Sequence, residues 1–442
     1  MRDSLTIRRA QLVLPDRVVT GDLLVEDGII TQVGPRIDRT AGELIDGRGL
    51  TVLPGVIDSH VHFRDPGSTH KEDLASGSRA CAAGGVTSFL DMPNTRPPTI
   101  SVSALEDKLR RAAEVSVVNY GFFIGATKDN LEELANAEQA CGIKIYMGSS
   151  TGDLLLSEPE ELERVIRGAN KIVAVHAEDE VRLRERQKLY DHDIAPAHHT
   201  LIRDVETALT ATRRIVGLAQ KHGQRLHLLH ISSEEEINFL ADNKSDHLTC
   251  EVCPHHLFLN AETAYERLGT KGVVNPPLRN PRHVNSLWKR VLDGTVTSIA
   301  SDHAPHTVEE KNVPYCDCPS GMPGVEWMLP LMLNEVARER ISLLQVVKLL
   351  CAAPASCYRL PRKGRLEAGY DADLVLVDLA AVKTVGEGPI HTACKWSPYE
   401  GFSLQGWPVM TVVLGNLVFR NGEIIDDVRG GALTYARKSW SR

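Results

Sequence analysis

LPGVIDSHVHF, residues 53–63, is a short apolar run that closes on two histidines. A run of this length, rich in branched residues, reads as a buried strand. Seven more follow it: VTSFLDMPN (86–94), VNYGFFIGAT (118–127), IKIYMG (143–148), KIVAVHAED (171–179), RLHLLHIS (225–232), LTCEVCPHH (248–256) and VTSIASDHAPH (296–306). Helical stretches such as SALEDKLRRAAEV (103–115) and SEPEELERVIRGAN (157–170) lie between them. Ser157 and Glu160 are spaced as a capping box opening the second. Strand and helix repeated eight times predict an α/β chain folded as a distorted (β/α)8 TIM-like barrel.

Both flanks of that region change texture. VVTGDLLVEDGIITQVG (18–34) alternates around Asp27-Gly28, a hairpin signal. DADLVLVDL (371–379) and PVMTVVLGNLVFRNGEII (408–425) repeat the pattern with Gly-Asn and Asn-Gly turns. The expectation is a small β-sandwich domain built from both termini, 1–54 and 360–442, interrupted by the barrel over 55–359.

The strand ends carry the chemistry. His60 and His62 are two residues apart and leave one face of an extended strand. His176, His230 and Asp302 close three other runs. Strand C-termini of a barrel converge on one mouth, where barrel enzymes hold their reacting groups. Four imidazoles and a carboxylate there suit zinc and leave room for water. One strand-end histidine is ordinarily a surface group, and His70, His192, His222 and His391 are read so; five arrivals at one rim are not. Lys144 stands between Ile143 and Ile145, so its amine points into the barrel. A buried ammonium tends to lose its proton, and the neutral amine can take up carbon dioxide as a carbamate able to bridge two metals. A lysine snorkelling to the rim or pairing with an acid is the alternative. Cys250 and Cys253 precede His255 and His256, yet residues three apart on a strand face opposite sides, which points to packing. Cys316 and Cys318 fall in a loop, where a redox-sensitive or metal-binding role stands against the commoner one of exposed thiols that do nothing specific.

Composition narrows the class. The 442 residues are 42% hydrophobic and 24% charged, with a formal net charge of −8. That acidic balance, with no basic stripe, argues against nucleic acid or an anionic membrane as partner. The opening MRDSLTIRRAQLVLP has no apolar core before a cleavage site, and no run reaches the ~20 residues a membrane span needs. Nine scattered cysteines fit a reduced, cytoplasmic chain better than a disulfide framework.

HVHFRDPG (60–67), GIKIYMG around Lys144, VHAED (175–179), HLLHIS (227–232), NPPLR (275–279) and SDHAPH (301–306) together resemble the amidohydrolase superfamily, closest to its bacterial dihydroorotases. KGRLEAGYDADLVLVD and KWSPYEG extend the resemblance nearly to the C-terminus. APASCY (353–358) departs from the Asn-Pro-Ala of many relatives, and MGSSTG after Lys144 is particular to a subgroup. The resemblance implies two Zn2+ per chain. His60, His62 and Asp302 would hold one, His176 and His230 the other, with N-carboxylated Lys144 between. It makes Asp302 the catalytic acid–base and Arg64, Asn94 and His306 the grip on a substrate carboxylate. Asn275, Ser320 and Gly321 match further substrate contacts. It implies a cyclic amidase acting on a small molecule, as a homodimer or higher oligomer, with aspartate carbamoyltransferase a candidate associate. A hydantoinase or allantoinase type is the nearest alternative; a non-catalytic scaffold would have lost metal ligands that this chain keeps.

Overall fold

The computed structural model describes residues 4–149, 154–190 and 195–436. Its centre is a ring of eight parallel strands: β1 (Val56–Val61), β2 (Val86–Asp91), β3 (Asn119–Phe122, continued by Ile124–Gly125), β4 (Ile143–Tyr146), β5 (Val173–His176), β6 (Leu226–Leu228), β7 (Leu248–Val252) and β8 (Ser298–Ile299). β1 to β3 pair in order, and Ile124–Gly125 passes the pairing to β4 and on through β8. The ring closes where the His62 amide donates to the His303 carbonyl at 2.7 Å.

Alternation along these strands sorts the side chains. Ile143 and Ile145 of β4, Leu226 and Leu228 of β6, and Cys250 and Val252 of β7 pack outward into the main apolar core. The residues between them, Lys144, His227 and Glu251, point inward and are 1% exposed or less. The barrel therefore encloses a polar column.

Helices cover the outside, among them Leu74–Ala83, Val102–Val115, Val205–His222 and Glu234–Asp242. Ser233 and Glu236 form a capping box at the last of these. The box expected at Ser157 is not formed. That helix runs Pro159–Gly168 with Glu158 at its N-cap, because Pro159 fits the first helical position and starts the helix there.

Strands from both ends of the chain share one nine-stranded sheet. Leu374–Thr384 pairs with Thr51–Pro54, which itself lies beside Leu5–Val13. Leu374 and Leu376 enter a core made with Leu5, Ile7 and Val52, while Val375 and Val377 enter the barrel's core. A strand buried on both faces reads as an unbroken apolar run, which is what LVLV is. Among the described residues, no helix is long and apolar enough to cross a membrane.

Candidate metal centre

His60 lies in β1 and His62 one residue beyond it, and their Nε2 atoms stand 3.3 and 3.2 Å from Asp302 Oδ1. Each ring is fixed from behind. His60 Nδ1 meets Glu251 Oε1 at 2.6 Å, and His62 Nδ1 meets Asn94 Oδ1 at 2.7 Å. An acceptor on the outer nitrogen leaves the inner lone pair free to bind, the usual support of a metal-ligating histidine. Glu251 is anchored in turn by His227 Nε2 at 3.0 Å and Ser59 Oγ at 3.2 Å. Burial pushes its pKa up, but His60 and His227 outweigh it and hold the carboxyl down at about 2.

The other half of the site follows the same plan. His176 Nδ1 and His230 Nε2 approach to 2.9 Å, and the far His176 nitrogen faces Glu178 Oε2 at 2.9 Å. Glu178 is itself paired with Arg203. Lys144 Nζ is buried with no hydrogen-bond partner, 4.3 Å from the Tyr146 ring centroid. Burial lowers its pKa to about 7, and lowers that of His62 to about 4. These groups are thus neutral or close to it, as ligands must be.

The arrangement fits metal. Ligand atoms of His60, His230 and Asp302 lie within 4.8 Å of one another, all buried. The orphaned buried amine of Lys144 is a costly arrangement unless a carbamate held by metal satisfies it. Nitrogen and carboxylate donors are those zinc takes.

All six expected metal-site residues line one cavity, joined by Arg64, Asn94, Asn275, Ser320 and Gly321. His306 lies against Arg64, its Nε2 3.3 Å from the guanidinium and 3.1 Å from the Ser320 carbonyl. Asn275 Oδ1 is tied to His199 Nε2 at 2.9 Å. Gly321 has φ 138°, and a Cβ there would meet the Ala304 carbonyl at 2.4 Å, so only glycine lets the chain pass so close. Arg64 reaches the cavity through a left-handed backbone (φ 61°), and His230 and Asp302 do the same beyond their strands, at φ 38° and 46°. Asp65 pairs with Arg111 instead of Arg64.

Sequence reasoning passed over Glu251, His227, Glu178 and Tyr146. Glu251 carried the same signal as Lys144, a charged residue inside an apolar run. Of the histidines read as peripheral, His70 pairs with Glu310 and His222 with Glu163, and His192 lies outside the described residues. Residues 150–152 of MGSSTG lie outside them as well.

Comparison with known proteins bears on the family and the fold. The chain is 39% identical over 416 residues to a dihydroorotase of Halobacterium salinarum, covering 91% of this chain and 96% of that one. It is 35% identical over 433 residues to a dihydroorotase of Methanosarcina acetivorans, covering 95% and 92%. Among solved structures it superposes on an L-hydantoinase from Arthrobacter aurescens with a TM-score of 0.91 at 30% identity, over 96% of this chain and 98% of that one. A family model described as amidohydrolase family matches residues 51–418, and the chain belongs to that family.

Proposed function

We propose that this chain is a dihydroorotase, interconverting dihydroorotate and N-carbamoylaspartate through its ring amide, a step of pyrimidine synthesis. The observation that carries the substrate choice is Arg64. It is 5% exposed at the cavity wall, with a backbone carbonyl and an imidazole as neighbours and, among the described residues, no carboxylate paired to it. A buried guanidinium without a counter-ion favours an anionic ligand, and its planar fork matches a carboxylate. Dihydroorotate has that carboxylate; a hydantoin or dihydrouracil ring does not.

His60, His62 and Asp302 would hold one zinc ion and His176 and His230 a second, with Lys144 reacting with carbon dioxide to place a carbamate between them. That reaction forms an N–C bond and releases one amine proton to solvent. Zinc, when bound, polarises the amide carbonyl and acidifies water. Asp302 takes the proton of the attacking water and returns it to the departing ring nitrogen. Burial opposes the Asp302 charge, but His60 and His62 outweigh it and hold its pKa well below the carboxylate range, so it starts as a base. Arg64 and His306 orient the substrate carboxylate, Asn94 steadies His62, and Ser320 and Gly321 close the wall. All nine cysteines are free thiols, which supports a reducing, cytoplasmic setting.

The deciding experiment compares kcat/KM for dihydroorotate, dihydrouracil and hydantoin on the zinc-loaded protein. Strong preference for dihydroorotate is expected. Preference for a neutral ring would overturn the substrate and leave the hydantoinase reading in its place.

A further inference from the structure

The run LTCEVCPHH ends in a second group of metal-ligating side chains that the catalytic reading leaves unused. Cys253, His255 and His256 are 0%, 1% and 2% exposed, and one ligand atom from each lies within 4.8 Å of the others. None of the three lines the cavity described above. Cys250, on the strand, is not part of the group. The local fold explains the convergence: Cys253 is the N-cap residue before Pro254–Phe258 and His256 is the third helical residue. That is the spacing at which capping-box side chains meet, yet Cys253 makes no capping hydrogen bond.

Two nitrogens of the group, His255 Nε2 and His256 Nδ1, are buried with no hydrogen-bond partner. The opposite nitrogen of His256 lies 3.0 Å from the Pro276 carbonyl, so Nε2 carries the proton and Nδ1 presents a lone pair. A carbonyl behind the ring and a bare nitrogen in front is how proteins set a histidine for a metal. Burial lowers the pKa of His255 to about 4 and moves that of His256 the same way, so both rings are neutral at pH 7.

We propose that Cys253, His255 and His256 form a third metal site, apart from the six catalytic ligands, taking zinc or another thiophilic divalent cation with water completing the tetrahedron. Binding releases the Cys253 thiol proton to solvent and forms one metal–sulfur and two metal–nitrogen bonds. Zinc bond lengths set neighbouring ligand atoms roughly 3.5 Å apart, within reach of small side-chain rotations from the spacing seen here. Occupied, the site ties the end of β7 to the first turn of Pro254–Phe258, whose His256 holds the Pro276 carbonyl next to the Val274 and Asn275 that line the cavity. None of its ligands lines the catalytic cavity, which gives it a structural role.

Cobalt substitution tests this, because the six catalytic ligands include no sulfur. Loading the metal-stripped protein with Co2+ should give a near-ultraviolet thiolate-to-cobalt charge-transfer band whose full amplitude corresponds to about one bound Co2+ per chain, beside those the catalytic ligands take. Cys253→Ser should abolish the band, while Lys144→Ala and a Cys316→Ser, Cys318→Ser double variant should keep it. No band in the wild type, or one that survives Cys253→Ser, overturns the site. X-ray absorption of the zinc-loaded wild type gives a second reading that needs no variant: sulfur in the metal's coordination shell supports the site, and its absence overturns it.

Discussion

Arg64 separates substrate identity from metal chemistry at the scale of a single residue. Arg64→Met keeps the bulk and removes the charge, so a bound carboxylate would lose its partner in a buried setting. The expected cost is about 2–5 kcal/mol in kcat/KM for dihydroorotate, with little change for any slow turnover of dihydrouracil. The ratio of the two values in wild type and variant is the measurement; equal losses would give Arg64 a structural role. Asp302→Asn, nearly isosteric, should fold and lose ~10²–10⁴ in kcat. Turnover near normal at matched zinc content would move proton transfer to another group. Lys144 and the His60–His62 pair were legible in the sequence because they break the apolar logic of a strand. Glu251 breaks it equally, but its partners, His60 and His227, lie 191 and 24 residues away, and only the closed barrel brings the three together. Glu251→Gln tests that support: it should cost about 10–100-fold in metal affinity with His60 and the other metal-binding side chains intact. Unchanged affinity by competition with a chelator would remove Glu251 from the site.

Elements were read well wherever the period was long and less well at their ends. The eight strand runs and the helices between them stand where the alternation put them. Ser157 misled because its spacing to Glu160 mimics a capping box, while Pro159 starts the helix nearer. At the long helix Val205–His222 the local signals agree: Asp204 caps Thr207 and pairs with Arg182 at the helix entry. Burial raises the Asp204 pKa, but Arg182 and the Thr207 contacts outweigh it and hold the carboxyl down at about 2. A carboxyl depressed in the folded state adds stability above its unfolded pKa of ~3.9, lost as pH falls toward the folded value. Asp204→Ala should therefore cost ~1 kcal/mol near pH 7. The gap between variant and wild type should shrink from pH 4 down to 2. Urea unfolding at several pH values reads this directly; a gap that persists at pH 2 would assign the loss to packing.

Metal should couple the site to the stability of the whole molecule. Ligands gathered from β1, β4, β5, β6 and β8 are far apart in sequence, so the unfolded chain cannot hold a metal in the same way. Free zinc at a hundredfold excess over Kd would add about 2.7 kcal/mol per site. Exhaustive chelation should accordingly lower Tm, and zinc with bicarbonate should restore it; an unchanged Tm in calorimetry would mean the apo and loaded folds are equally stable. The β-rich character of both ends was visible in the sequence. Their union into one domain was expected from it as well, but the register that joins them was not, because pairing between distant strands leaves no local mark.

That union also imposes an order in time. Thr51–Pro54 lies beside Leu5–Val13 on one edge and waits on the other for Leu374–Thr384, about 320 residues later in the chain. At about 5–20 residues per second, a ribosome needs roughly 16–64 s to deliver that partner. Through this interval the nascent chain carries an unpaired apolar strand edge, which is a template for aggregation. The sheet cannot be completed until the whole barrel segment has been made, so a ribosome that stalls before residue 374 leaves that edge open and the barrel core without Val375 and Val377.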